Sequence, residues 1–407
     1  MGLESKDVLA VSEWLVDEAL HESDIGDLLA GLCERLIRLG IPVDRSRLSW
    51  PTLHPLFEAE SVRWRIEDGI EVGSFPHQDV DSEEWRRSPI KWLIDNDVSS
   101  LRQRLEEDLA PDGFPLLQEL KEQGYTDFVA YYLSTFPRHS RFRWRNENFG
   151  IYVTFASRRP GGFDAADLDT LQHLLRPLGL ACKSAIYPRL MINVTDAYLG
   201  PTVAREVLGG RIMLGAGTRT RALVWYSDLR NSTFFSETLD ESDYLNLLNA
   251  YFECVGRPAV DAGGEILTFI GDAVLVIFPI DAEDEEAAGR TARAAIGAAA
   301  AARAAAEQLN ARRSGAREPA IRFGIALHIG DVRFGNIGLA QRLTFSVVGS
   351  TVNEVTRIEQ MTKVLPATIL ASDAVASLTP EEWHSVGPHL LRGMAQPMEL
   401  FGLRSDT

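Results

Sequence analysis

Two aspartates in the C-terminal half of the chain stand where short apolar runs end. Asp228 closes ALVWYS, and Asp272 lies in the turn of ILTFIGDAVLVIF. They are far apart in sequence, so only the fold could bring them together. Carboxylates delivered by adjacent strand ends suit a hard divalent cation, because magnesium is commonly held by one or two carboxylates while substrate phosphates complete its shell. Just after the first aspartate, LRNSTFF offers backbone N–H groups and the hydroxyls of Ser232 and Thr233 at the expected start of a helix, a favourable place for phosphate. A third stretch, FSVVGSTVNEVTRIE, puts Asn353 and Arg357 on one face of a helix that follows a glycine turn. Phosphoryl transfer needs positioning and charge stabilisation more than covalent chemistry, and metal ions with an arginine supply the charge. An asparagine one turn away can orient a sugar. Either aspartate alone reads more readily as a turn former or helix cap; it is the surrounding stretches that favour chemistry.

The elements that must carry these residues can be read from the pattern of apolar positions. From 221 the chain alternates: strand RALVWYS, helix ESDYLNLLNAYFECVGRPAVDAG, then strands ILTFI and AVLVIF split by Gly271-Asp272. An alanine-rich helix follows at about 284–311, then strands IRFGIALHIG, VRFGNIG and LTFSVVG, a helix starting near Thr351, and short elements to the end. This is an α+β domain, 221–407. Upstream, VLAVSEWLVDEAL and IGDLLAGLCERLIRLG predict two amphipathic helices. Segments such as SRLSWPTLHP, SVRWRIE, TDFVAYYLSTF and FGIYVTFASR predict strands, and DAADLDTLQHLLRPLGLACKSAIY at 164–187 predicts a closing helix capped by its aspartate. Residues 1–187 therefore predict a first α+β domain of regulatory type. Between the two, 188–220 contains Pro188, Pro201 and Gly209-Gly210 and reads as a helical connector with a hinge.

Composition narrows the function classes. The 407 residues carry 58 acidic and 41 basic side chains, a formal charge of −17, which argues against a nucleic-acid-binding protein. An anionic substrate would then depend on metal ions or a few placed cations. Cys33, Cys182 and Cys254 are scattered and never arranged as a metal motif, as reduced thiols would be. The N-terminal stretch lacks the apolar core of a secretory signal, and no long run of apolar residues suggests a membrane span, so a cytoplasmic protein is expected. His54 and His328 lack partner ligands at metal spacing and read as structural. RFRWRNEN at 141–148 reads as the wet face of a strand, and the alanine-rich helix as half-buried.

Five blocks in order carry a resemblance: VWYSDLRNST, GGEILTFIGDAVLVIFP, IRFGIALHIGDVRFGNIG, FSVVGSTVNEVTRIE and LLRGMAQPMELFGL. From about 221 to 403 the chain resembles the catalytic domain of the class III nucleotidyl cyclases, the family of most adenylyl and guanylyl cyclases. The resemblance implies a ferredoxin-like βαββαβ core and a site for two Mg²⁺ or Mn²⁺ ions on Asp228, Asp272 and the Leu229 backbone carbonyl. It implies that Asn353 positions the ribose, that Arg357 stabilises transition-state charge, and that Arg392 meets the terminal phosphates. The purine would be read at Thr268 and Ser350. In the family, adenylyl cyclases usually place a lysine at the first position, where this chain has a short neutral threonine, and guanylyl cyclases a glutamate. The implied reaction is attack of the ribose 3′ oxygen of ATP on the α-phosphate, releasing cyclic AMP and pyrophosphate, at sites shared by a homodimer. A guanylyl or loosely selective purine cyclase, and a non-catalytic nucleotide-binding regulator, remain as alternatives. Gly263-Gly264-Glu265 is similar to part of a diguanylate cyclase signature, but no other block agrees. Residues 1–187 resemble GAF-like sensory domains, which implies an unknown small-molecule or protein signal there.

Overall fold

The computed structural model describes residues 6–21, 23–77, 82–107, 113–133, 150–213, 217–280, 285–316, 318–339 and 341–406. The basic stretch 141–148 lies outside them. The chain forms two compact units, Met1–Ala197 and Tyr198–Thr407. Among the described residues, no helix is long and apolar enough to cross a membrane.

In the first unit, helices α1 (Lys6–Leu20) and α2 (Ile25–Arg38) precede strands β1 (Arg45–Pro51), β2 (Phe57–Arg65) and β3 (Gly69–Pro76). Then come α3 (Glu83–Arg86), α4 (Pro89–Asp95), β4 (Ser100–Arg104), α5 (Pro115–Glu122), β5 (Asp127–Leu133), β6 (Ile151–Ser157) and α6 (Ala165–Leu199). The strands form one antiparallel sheet in the order β3-β2-β1-β6-β5-β4. Asp24 caps α2 by accepting from the Gly26 amide at 2.7 Å, and the helix buries Leu28, Leu29, Leu32 and Leu36 on the sheet. Leu48, Trp50, Val62 and Val153 meet it from one sheet face together with α1 and α6. The opposite face, with Phe128 and Ala130, packs on Leu93 of α4 and on Leu117 and Leu120 of α5. The closing helix runs past the expected end at 187, through Pro188, to Leu199. Pro177 and Pro188 both lie inside this 35-residue helix, and each removes only one backbone hydrogen bond from it.

In the second unit a short helix α7 (Pro201–Leu208) leads to β7 (Gly217–Leu229), α8 (Ser232–Thr238), α9 (Glu241–Asp261), β8 (Glu265–Ile270), β9 (Ala273–Ile280), α10 (Glu285–Ala316) and β10 (Phe323–Leu339). The order β10-β7-β9-β8 makes this a ferredoxin-like βαββαβ core. Beyond it lie β11 (Arg342–Val348), α11 (Ser350–Met361), β12 (Ile369–Ser372), α12 (Asp373–Ala376), β13 (Trp383–His389) and β14 (Met398–Leu403). Strand β12 runs parallel to β10 and is reached through α11, and β14 and β13 extend that edge. Helices α9 and α10 cover one face, packing on Leu223, Trp225, Val274 and Val276, while α11 covers the other. The alanine-rich helix buries Ala288, Ala292, Ala295, Ala299, Ala302 and Ala306 at three- and four-residue spacing and exposes its other side, as the sequence predicts.

The two strands expected from IRFGIALHIG and VRFGNIG are a single strand. Gly330 and Asp331 pair with Ala222 and Arg221, so the ladder with β7 continues through the glycine that the sequence presents as a break.

Candidate active site

Strand alternation decides where the first aspartate points. Ala222 and Val224 belong to the core under α11, Leu223 and Trp225 to the core under α9 and α10, so Asp228 falls on the α11 face. It is the penultimate residue of β7 and pairs with Ala273, the residue after Asp272. The Leu229 amide donates to the Asp272 carbonyl at 3.3 Å. The two aspartates therefore meet at one end of adjacent antiparallel strands, as the sequence predicts. Thr268 pairs with Leu275, which lies in the α11-side core, so Thr268 reaches the same sheet face. Ser232 and Thr233 open α8, whose preceding residue Asn231 adopts the left-handed conformation at φ 61 and makes no side-chain cap.

Helix α11 carries the second group, and its attachments settle its rotation. Thr351 donates to the Asp331 carbonyl at 2.7 Å. Glu354 meets His328 Nε2 at 2.8 Å, and His328 Nδ1 meets Ser372 Oγ at 2.7 Å, so this histidine is buried and satisfied as a structural residue should be. Burial lowers the His328 pKa, with Glu354 pulling the other way. Val355 and Ile358 enter the core. Glu359, only 1% exposed, lies 3.1 Å from Arg230, which also meets Thr362. Burial pushes the Glu359 carboxyl up, and the positive charges of Arg230 and Lys363 oppose that shift. Finally Lys363 Nζ sits 2.7 Å from Asp228 Oδ2.

The anchors within α11 lie on one side of the helix, and Thr362 and Lys363 follow in the turn just after it. Asn353 and Arg357 leave from another: at about 100° per residue, Arg357 and Glu359 diverge by about 200°. Arg357 turns toward Gly393, where a Cβ would lie 3.4 Å from its guanidinium, beside the exposed Arg392. Ser350 is exposed in the first turn. The structure thus gathers Asp228, Asp272 and Thr268 on one surface, and Asn353, Arg357 and the Arg392 turn on another. Among the described residues, the side chains of Asp272, Asn353, Arg357 and Arg392 make no hydrogen bond or ion pair. Sequence reasoning missed Lys363 and the Arg230–Glu359 pair. The only available signal was the four-residue spacing of Glu359 and Lys363 in RIEQMTK, an ordinary pattern on a solvated helix.

Glu265, of the glycine-rich stretch, accepts from Thr202 of α7 at 2.7 Å, while Gly264 leaves no room for a Cβ against Phe278 and the Ala259 carbonyl. These two positions serve packing. The three cysteines are free and buried, and burial raises their thiol pKa values.

Residues 217–404 match the family model described as the adenylate and guanylate cyclase catalytic domain. An adenylate cyclase of Anabaena cylindrica is 32% identical over 168 residues, 40% of this chain and 32% of that protein. Adenylate cyclase 1 of Rhizobium meliloti is 28% identical over 310 residues, 73% of this chain and 44% of that protein. The chain thus spans less than half the length of these curated relatives. Among solved structures, the guanylyl cyclase Cya2 is 28% identical, covers 46% of this chain and 94% of its own, and superposes with a TM-score of 0.40. The adenylyl cyclase CyaB from P. aeruginosa is 26% identical, with coverages of 47% and 99% and the same TM-score of 0.40. Residues 217–404 thus carry an adenylate and guanylate cyclase catalytic domain.

Proposed function

We propose that the protein is an adenylate cyclase that converts ATP to 3′,5′-cyclic AMP and pyrophosphate at sites shared between two copies of the chain. The observation that carries this reading is the rotation of α11: its anchors sit beside Asp228, while Asn353 and Arg357 project from another side. A two-fold pairing would set the aspartates of one copy against the asparagine and arginine of the other, closing two equivalent sites. Exposed apolar side chains favour such pairing: Phe269 and Ile270 beside the Asp272 turn, and Ile337 and Leu339 on the β10–β11 arm.

The donor set suits Mg²⁺ or Mn²⁺. Among the described residues no cluster of three or more metal-ligating side chains occurs, so Asp228 and Asp272, with the Leu229 carbonyl, leave most of a shell to water and phosphate oxygens. Asp228 already accepts a cation, the Lys363 ammonium. Two ions held there would neutralise the triphosphate and lower the pKa of the attacking hydroxyl. Asn353 holds the ribose so that its 3′ oxygen lies in line with the α-phosphorus. Arg357 meets the charge that grows on the transferring phosphoryl group, Arg392 the departing pyrophosphate, and Ser232 and Thr233 offer hydroxyls to the phosphates. Ser350 can accept from the adenine amino group; Thr268 adds no charge to base selection. A regulatory, GAF-like role for the first unit, acting through α6, completes the reading.

Purified protein incubated separately with ATP and GTP, with Mg²⁺ or Mn²⁺, is expected to form cyclic AMP from ATP. Cyclic GMP alone, or no cyclic product, would overturn the assignment. A second expectation concerns Lys363, which is 47% exposed and competes with metal for Asp228. An exposed pair is worth at most about 1 kcal/mol, so Lys363→Met should lower the metal concentration for half-maximal activity by up to about fivefold, leaving kcat nearly unchanged. A raised metal requirement in a Mn²⁺ titration would show that Lys363 assists the site instead.

A further inference from the structure

We propose that the face of the N-terminal sheet built by β1 and β2 binds a small phosphate-type dianion through Arg45, Arg47, Arg63 and Arg65. Strand register creates the cluster. Arg45 pairs with Arg65 and Arg47 with Arg63, so four guanidinium groups rise from neighbouring positions on one sheet face. The neighbouring residues Leu48, Val62 and Trp64 fill the core on the opposite face.

Counter-charge is scarce where the arginines are deepest. Glu71 pairs with Arg63 and lies 3.5 Å from Arg65, and Asp68 lies 3.1 Å from Arg65, but both carboxylates are more than half exposed. Arg45 is only 8% exposed and makes no hydrogen bond or ion pair among the described residues. Arg47 donates to Ser61 Oγ at 3.0 Å and lies over the Phe75 ring at 4.9 Å. The Nε atoms of Arg47 and Arg63 are buried without an acceptor, as is the nearby Tyr125 hydroxyl. Glu84 and Glu119 act on the cluster only through space, without a hydrogen bond to it. Burial and the neighbouring Arg45 and Arg63 push the Arg47 pKa down to about 10, the sign of positive charge held without enough compensation.

Buried guanidinium groups are normally paired, and a native unsatisfied donor calls for an explanation. An anion supplies it. Donors converging from two strands match an oxyanion with three or four acceptor oxygens better than a carboxylate with two, and arginine forks are suited to phosphate. Free inorganic phosphate and a phosphate monoester share this chemistry. The inference concerns the first unit alone and does not depend on nucleotide turnover, so it stands or falls separately from the cyclase reading.

Calorimetric titration of the full chain in EDTA, at constant ionic strength, with inorganic phosphate, glycerol 3-phosphate and succinate tests it. Saturable binding of phosphate or the monoester is expected, the tighter of the two identifying the source. Arg47→Met should weaken that binding by roughly tenfold or more, the scale of a lost charge-assisted hydrogen bond. Its melting temperature without phosphate should be unchanged or higher, because an uncompensated buried charge has gone. Arg65→Met, at the exposed rim, provides a milder variant should the first fail to fold. No saturable binding of either phosphate compound, tighter binding of succinate, or undiminished phosphate binding in the folded variants would overturn the proposal.

Discussion

Equal amounts of Asp228→Ala and Arg357→Ala protein, mixed and allowed to exchange subunits, should recover about a quarter of wild-type activity, although each variant alone is nearly dead. A transition-state arginine in phosphoryl transfer is worth about 10³ to 10⁵ in rate, and loss of a metal carboxylate should be comparable. Random exchange makes half of the dimers mixed. In a mixed dimer one site combines both substitutions, and the other has its aspartates from one copy and its arginine from the other, all intact. Half of the dimers, each with one working site of two, give about a quarter of the sites. The recovery comes from geometry, since neither variant regains its missing group. Sedimentation must show that mixed dimers form; if they do and activity stays at background, the site is not shared. The experiment bears on the divergence of Arg357 from Glu359 around α11, which otherwise lacks a functional meaning.

What the sequence disclosed depended on whether the relevant physics is local. Apolar runs ending at Asp228 and Asp272 made a strand-end pair legible, and β7 and β9 do place them side by side. Helical spacing made Asn353 and Arg357 neighbours on one face, which follows from helix geometry alone. Rotation of that helix against the sheet was not legible, because it is set by contacts at long sequence distance: Thr351 with Asp331, Glu354 with His328, Glu359 with Arg230, Lys363 with Asp228. Gly330 looked like a strand break and lies inside a continuous ladder, tertiary pairing having overridden the glycine penalty. In β2 the arginines alternate with Val62 and Trp64, and in β1 Arg45 and Arg47 flank Ser46, a pattern that ordinarily marks a solvated face. Yet Arg45 is buried there, and only the packed structure reveals it.

Glu359→Ala is expected to destabilise the cyclase unit by about 3–5 kcal/mol, since it removes the counter-charge of a largely buried arginine. For a unit of this size that corresponds to a fall of roughly 10 °C in the melting transition. The carboxylate is 1% exposed and sits between Arg230 and Thr362. Gly324, which pairs with Asp228 on β10, makes the pocket possible: a Cβ there would collide with Thr362, Arg230 and Glu359 together. The backbone of β10 therefore closes directly over the ion pair. Activity should fall with stability, because the pair anchors α11 beside Asp228 and so sets the direction of Arg357. Replacing both partners, as Arg230→Met with Glu359→Leu, removes the uncompensated charge as well as the attraction, and should recover much of the lost stability. Calorimetric melting of the two single variants and the double variant gives the coupling directly. If the double variant loses as much as the two singles combined, the residues act independently and the ion pair does not anchor the helix.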